Sequence, residues 1–198
     1  MRKTLNLLTF LLLLMMATSA CNKDDPEEND NFFYSIQGEK VYLKVRKDKV
    51  IIKAESADEA LKLQDNAVFL SAEAVPVYWV LATIDSLKTN LDDLLQITGV
   101  ADAAYGMVYP EYPEDGFAYP SDKIFVQCKG QSIEKIIKQA GLSNKVEDIE
   151  LFSPYSEMYL ITFKNVKLSE MLNTSKKLFK TGKCNFAAPS FFRQEKLY

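Results

Sequence analysis

The chain has 198 residues, 24 of them Lys or Arg against 27 Asp or Glu, a formal net charge of −3. It contains no histidine, which excludes a Ser-His-Asp or Cys-His nucleophile pair and removes the commonest zinc ligand. The acidic balance and the even spread of Lys and Arg give no electrostatic reason to bind nucleic acid. The carboxylates fall mostly at expected turns and helix starts, where capping and solvation account for them. No enzyme activity is expected, and no catalytic residue, metal or cofactor is assigned.

In chain order, Arg2 and Lys3 precede an apolar run from Leu5 to Ala20 that ends in small residues. A basic start, a short apolar core and small residues before a cut describe a secretory signal over residues 1–20. The run falls short of the roughly 20 strongly apolar residues that a spanning helix needs. Thr18-Ser19-Ala20-Cys21 resembles the lipobox of bacterial lipoproteins, in which cleavage leaves a lipid-modified cysteine at the new N-terminus; Thr18 stands where Leu is usual. That resemblance implies lipidation of Cys21 and membrane attachment through the lipid alone. The alternative is an ordinary secretory signal with a chance cysteine. The acidic stretch after Cys21 resembles the export tags of surface lipoproteins in the Bacteroidetes, which implies an outer membrane lipoprotein facing the periplasm or the cell surface. Apart from Pro26, residues 22–31 carry no apolar side chain and cannot bury surface, so residues 21–31 read as a flexible acidic tether.

From Phe32 onward one pattern is written twice. Strand-forming runs open each copy at Asp48-Lys49-Val50-Ile51-Ile52-Lys53 and at Asp122-Lys123-Ile124-Phe125-Val126-Gln127. Each follows an aromatic segment with a glycine turn, Phe33-Tyr34 with Gln37-Gly38 and then Tyr109 and Tyr112 with Asp115-Gly116. A helix signal comes next: Ser56 with Glu59 as a capping box, then Ser132 ahead of Ile133, Ile136 and Ile137, with Gly141 as the stop. Two strands follow in each copy, Ala67 to Ala72 with Val77 to Ile84, and Val146 to Phe152 with Met158 to Phe163. A second helix carries Leu91, Leu94 and Leu95, and later Leu168, Met171, Leu172, Leu178 and Phe179, at the spacing of a buried stripe. Closing strands run from Ala104 to Tyr109 and from Asn185 to Phe192. The expected fold class is α+β: two tandem ferredoxin-like βαββαβ units with antiparallel sheets. The first spans residues 32–120 with an N-terminal hairpin, and the second spans 121–198 with a C-terminal tail. The aromatics Phe33, Tyr34, Tyr78, Trp79, Tyr105 and Tyr109 exceed one small core's needs. They read as the interface between units or, alternatively, as an exposed platform.

Cys128 ends the first strand of the second copy and Cys184 begins its last, and that topology makes the two strands antiparallel neighbours. In an oxidising compartment a disulfide would close a loop of nearly 60 residues, adding roughly 4 kcal/mol in the chain-entropy model. The alternative is two buried free thiols acting as small apolar residues. Asn173-Thr174-Ser175 and Asp85-Ser86-Leu87 match three-residue glycosylation patterns of low specificity.

The stretch from Asp122 to Lys129, through Tyr159-Leu160-Ile161, to Thr181-Gly182 and Phe186-Ala187-Ala188-Pro189-Ser190-Phe191 resembles an N-terminal prodomain of subtilisin-like serine proteases, of the fervidolysin type. Ala188 stands where Glu is usual, and Ser190 where Asn or Asp is usual. The resemblance implies that an open sheet face docks on the protease while the C-terminal tail lies in its cleft as an added strand. Phe125, Gln127, Asn185 and Ala187 would form the protease-facing sheet. Phe192, Arg193, Gln194, Glu195, Lys196, Leu197 and Tyr198 would form the tail. No protease domain follows Tyr198 in the chain as read, so the expectation is a stand-alone propeptide-like lipoprotein that inhibits a subtilisin-like protease or assists its folding. The alternatives are a surface module that binds a protein or glycan through the aromatic face of the first copy, and a remnant prodomain without a partner.

Overall fold

The computed structural model describes residues 31–35, 37–75, 77–111 and 116–194. The signal segment, Cys21 and the tether through Asp30 lie outside the described residues, as do Glu195 to Tyr198. An N-terminal hairpin pairs β1 (Phe32–Tyr34) with β2 (Lys40–Tyr42). There follow β3 (Lys44–Ala54), α1 (Ala57–Leu63), β4 (Phe69–Val75), β5 (Trp79–Ile84), α2 (Leu91–Leu94) and β6 (Val100–Val108). The second half runs through β7 (Phe117–Cys128), α3 (Ile133–Gln139), β8 (Val146–Ser153), β9 (Met158–Phe163), α4 (Met171–Phe179) and β10 (Cys184–Gln194). A 3-10 turn over Leu168–Glu170 leads into α4.

The expected pair of tandem ferredoxin-like units is overturned by the strand pairing. The ten strands described join one mostly antiparallel sheet in the order β2-β1-β10-β7-β6-β3-β5-β4, with β9 and β8 branching from β7. The cause is the length of β7. Its 12 residues span about 40 Å at 3.3 Å per residue, more than one small sheet needs. Its first part pairs with β6 (Met107 with Ala118), its second part with β9 (Lys123 to Gln127), and its other edge with β10. The expected boundary at 120/121 therefore falls inside a strand. Pro120 does not end β7, because it sits where the β7–β10 register is already irregular and a missing backbone donor is tolerated. The N-terminal hairpin belongs to the far side of this junction: Tyr34 pairs with Ala187 of β10.

In the first half both sheet faces are covered. Val50, Ile52, Val80 and Ala82 pack with Ala60 and Leu63 of α1 and Leu94 of α2. Their neighbours Ile51, Trp79 and Leu81 pack on the other side with Ala104, Tyr119 and Leu168. That is why β5 is buried at consecutive positions rather than alternate ones. In the second half Ile124, Val126, Ile161 and Phe163 close over Ile133, Ile136 and Ile137 of α3 and Met171 and Leu178 of α4. At the β6–β7 junction, Gly106 is required by space. A Cβ there would stand 2.8 Å from Tyr119 Cε1 and 3.0 Å from Lys49 Cβ.

Two polar contacts tie the halves together. Lys53 Nζ on β3 donates to Asp122 Oδ2 on β7 at 2.7 Å. The Leu168 amide donates to Asp102 Oδ2 on β6 at 2.7 Å. Burial pushes the Asp102 carboxyl above the ordinary aspartate range, against the amides of Leu168 and Ala103 and the charges of Lys167 and Lys53 that favour its ionised form. An aspartate raised in the folded state holds its proton more tightly there than in the unfolded chain. Its contribution to stability is therefore greatest below the unfolded value of 3.8 and is lost as pH rises through the folded value. Asp102→Asn keeps an acceptor for Leu168 and removes the desolvated charge. In urea titrations it should be more stable than the parent at pH 7, with the difference vanishing near pH 3.5.

Candidate functional site

Strand alternation gives the second half two unlike faces. On one parity Ile124, Val126, Ile161 and Phe163 are buried under α3 and α4. On the other parity Lys123, Phe125 and Gln127 of β7, and Met158, Leu160 and Thr162 of β9, remain partly accessible. Register places Phe125 opposite Leu160 and Gln127 opposite Met158, with Glu150 of β8 opposite Leu160 on the far side. Phe152 is 56% exposed and meets Phe125 edge-on, ring centroids 5.1 Å apart. The result is a half-open apolar face beside a fully exposed Tyr155 on the β8–β9 turn.

That turn is fixed locally. Pro154 opens a 3-10 turn, Glu157 closes it with φ 47, and Gln127 Nε2 donates to Ser156 O at 3.0 Å. Among the described residues β8 pairs only with β9, and Glu147, Asp148 and Glu150 are exposed along it. Such charges discourage a further strand from adding at an edge. They give the apolar face an acidic border.

Of the residues expected on this face, Phe125 and Gln127 are there. Ala187 is not: it is fully buried with Val126 and Cys128 beneath the helices. A register shift between Cys184 and Phe186 resets the alternation of β10. Phe186, opposite Gln127, takes the place that strict alternation gave to its neighbours, and Asn185 lies within the irregularity itself. The expected loose tail also needs correction. Phe192, Arg193 and Gln194 belong to β10 and pair with Tyr119, Ala118 and Phe117. The Phe192 ring packs against Trp79 at 5.1 Å, and Arg193 sits over the Tyr109 ring at 5.9 Å. Glu195, Lys196, Leu197 and Tyr198 lie outside the described residues.

The aromatics of the first copy do not form an open platform. Trp79 is 5% exposed, and Lys53 Nζ lies over its ring and that of Tyr78 at 5.6 and 5.3 Å. Tyr34 stacks on Phe179 of α4 at 4.0 Å, and Phe33 meets Phe191 at 5.9 Å. Phe33 and Tyr34 thus fasten the N-terminal hairpin to the second half, Trp79 meets Phe192 across the joint, and Tyr105 packs toward α1 and α2.

A cleft of about 490 Å³ lies between the N-terminal hairpin, the β6–β7 connection and the end of β10. Tyr42, Tyr109 and Phe117 line it together with Lys40, Arg193 and Glu111, so it offers rings and charges of both signs. Among the described residues no group of three or more Cys, Asp or Glu could hold a metal ion. No described helix is long and apolar enough to cross a membrane. Cys128 and Cys184 are register partners in β7 and β10, both buried and both free thiols. Compared with family models, curated proteins and solved structures, the chain matches none.

Proposed function

We propose that the protein is a non-catalytic docking module, anchored by lipid at Cys21, that binds a subtilisin-like serine protease through the open face of β7, β9 and β8. The carrying observation is the unequal treatment of the two faces of that sheet. One is sealed by α3 and α4, while Phe125, Phe152, Met158 and Leu160 stay partly open on the other. Apolar side chains clustered on one exposed surface favour a partner that covers them. The protease as partner rests on the prodomain-like residues of β7, β9 and β10. The acidic border at Glu147, Asp148 and Glu150 suits a partner surface with basic groups around an apolar centre.

The docking face, rather than the tail, carries this reading, because β10 holds the chain in the sheet through Gln194. The test is capture of serine proteases from native membranes, scored with a fluorophosphonate probe, followed by inhibition assays with the captured enzyme. Phe125→Glu and Phe152→Glu should each weaken inhibition at least tenfold, a loss of about 1.4 kcal/mol, with circular dichroism and Tm close to those of the parent. Deleting Glu195 to Tyr198 should change it less than threefold. Unchanged inhibition by the face variants, or a capture containing no labelled protease, would remove the proposal. A tenfold loss on deletion would move the contact to the tail.

A further inference from the structure

We propose that Cys128 and Cys184 form a cross-strand cystine that staples the first strand of the second half to its last. The geometry comes from the ladder. Cys184 lies directly opposite Cys128, the Lys129 amide donates to Lys183 O at 2.9 Å, and the Cys128 amide turns away to Glu157 O, just ahead of β9, at 3.2 Å. Bonds that bracket a residue pair, rather than join it, mark the non-hydrogen-bonded site of an antiparallel ladder. There Cα atoms approach to about 4.5 Å, within the range a disulfide spans. Both residues are almost wholly buried, 4% and 1% exposed, and share one apolar cluster with Val126, Met171 and Leu178. A buried pair of this kind is a structural staple, sealed from reductants while the protein is folded.

The bond forms by two exchanges with a small disulfide such as glutathione disulfide. One cysteine thiolate attacks a glutathione sulfur, breaks its S–S bond and releases one glutathione thiolate. The second cysteine thiolate then attacks the mixed disulfide and releases the other, and the two protons lost from the cysteines end on the two glutathiones. Burial pushes the Cys128 thiol up to about 11, with the nearby Cys184 adding to the shift, and burial likewise raises Cys184. Few thiolates exist in the folded dithiol near neutral pH, so oxidation belongs to the folding stage, when both sulfurs are accessible. This inference is independent of the docking reading, since it rests on β7–β10 register alone.

The test is non-reducing peptide mapping of the protein refolded with glutathione disulfide, together with thermal melts before and after reduction in denaturant. The expected results are one linked peptide pair containing Cys128 and Cys184, and a Tm about 10 °C lower for the reduced form. The folded dithiol should oxidise at least 100-fold more slowly than the urea-unfolded chain. The double variant Cys128→Ala, Cys184→Ala should lose the redox dependence of Tm. Recovery of both cysteines as free thiols after oxidative refolding, linkage of either one to Cys21, or a redox-dependent Tm that persists in the double variant would overturn the proposal.

Discussion

Trp79→Ala is expected to destabilise the protein by about 3 to 5 kcal/mol, the usual range for truncating a buried aromatic side chain. For a chain of this size that corresponds to a Tm lower by about 10 °C in a scanning melt. Trp79 is 5% exposed, meets the Phe192 ring at 5.1 Å and shares a cluster with Ile51, Leu81 and Tyr119. Its loss opens a cavity between β5 of the first half and β7 and β10 of the second, so the damage reaches both halves. Trp79→Phe should recover most of the stability by refilling that space. A drop under 1 kcal/mol in the Ala variant would mean that the halves do not pack through this residue. Because the side chain is interior, any change in partner binding should follow the loss of fold and disappear in the Phe variant.

Lys53→Met should destabilise by about 3 kcal/mol, because it leaves Asp122 in a buried position without its counter-charge. The Asp122 side chain is 8% exposed and its Oδ2 accepts from Lys53 Nζ at 2.7 Å. Burial alone would lower the Lys53 ammonium below the ordinary lysine value. The hydrogen bond and charge of Asp122 outweigh it, with smaller help from Tyr78 and Glu147, so the net direction is upward. A lysine raised in the folded state contributes stability that is fully present below its unfolded value of 10.5 and fades as pH climbs through the folded one. The gap between parent and variant should therefore be constant through neutral pH and narrow only under strongly alkaline conditions. Lys53→Met with Asp122→Leu should regain most of the loss, since an apolar pair of similar volume replaces a desolvated ionic one. A double variant no better than the single one would show that packing around the lysine stem, rather than the orphaned carboxylate, sets the cost.

The repeat in the sequence is real at the level of elements and misleading at the level of sheets. Local signals announced β9, whose bounds match the expected Met158 to Phe163, and the helix stripe of Leu172 and Leu178. Ser56 was legible as a cap, and it accepts from the Glu59 amide at 3.2 Å. The Glu59 carboxylate, however, meets Lys62 at 2.6 Å instead of returning to the cap. The full capping box stands at Asn90 and Asp93. What alternation could not reveal is pairing between distant segments. Phe117-Ala118-Tyr119 reads as a strand by itself, yet only tertiary contact carries it past Pro120 into one 12-residue element. The bulge at Cys184 to Phe186 had the same effect on the docking face. Phe125 and Gln127 follow parity along an unbroken stretch of β7, while Ala187 departs from it because the irregularity upstream inverts the residues that follow, as far as the next shift between Pro189 and Phe191. Phe152 and Tyr155 were missed altogether, since a large apolar residue beside a turn proline carries no mark of exposure in the sequence.

The position of β10 between β1 and β7 has a bearing on how the molecule is made. The hairpin at Phe32 is synthesised well before its docking site, Ala187 and the Phe179 ring stacked on Tyr34, which lie far downstream in the sequence. Contacts between such remote segments carry a high entropic cost of loop closure and form late. Until β10 slots in, β7 presents a bare edge rich in β-branched and aromatic residues, and during that interval the chain depends on a chaperone or on speed to avoid pairing with its neighbours.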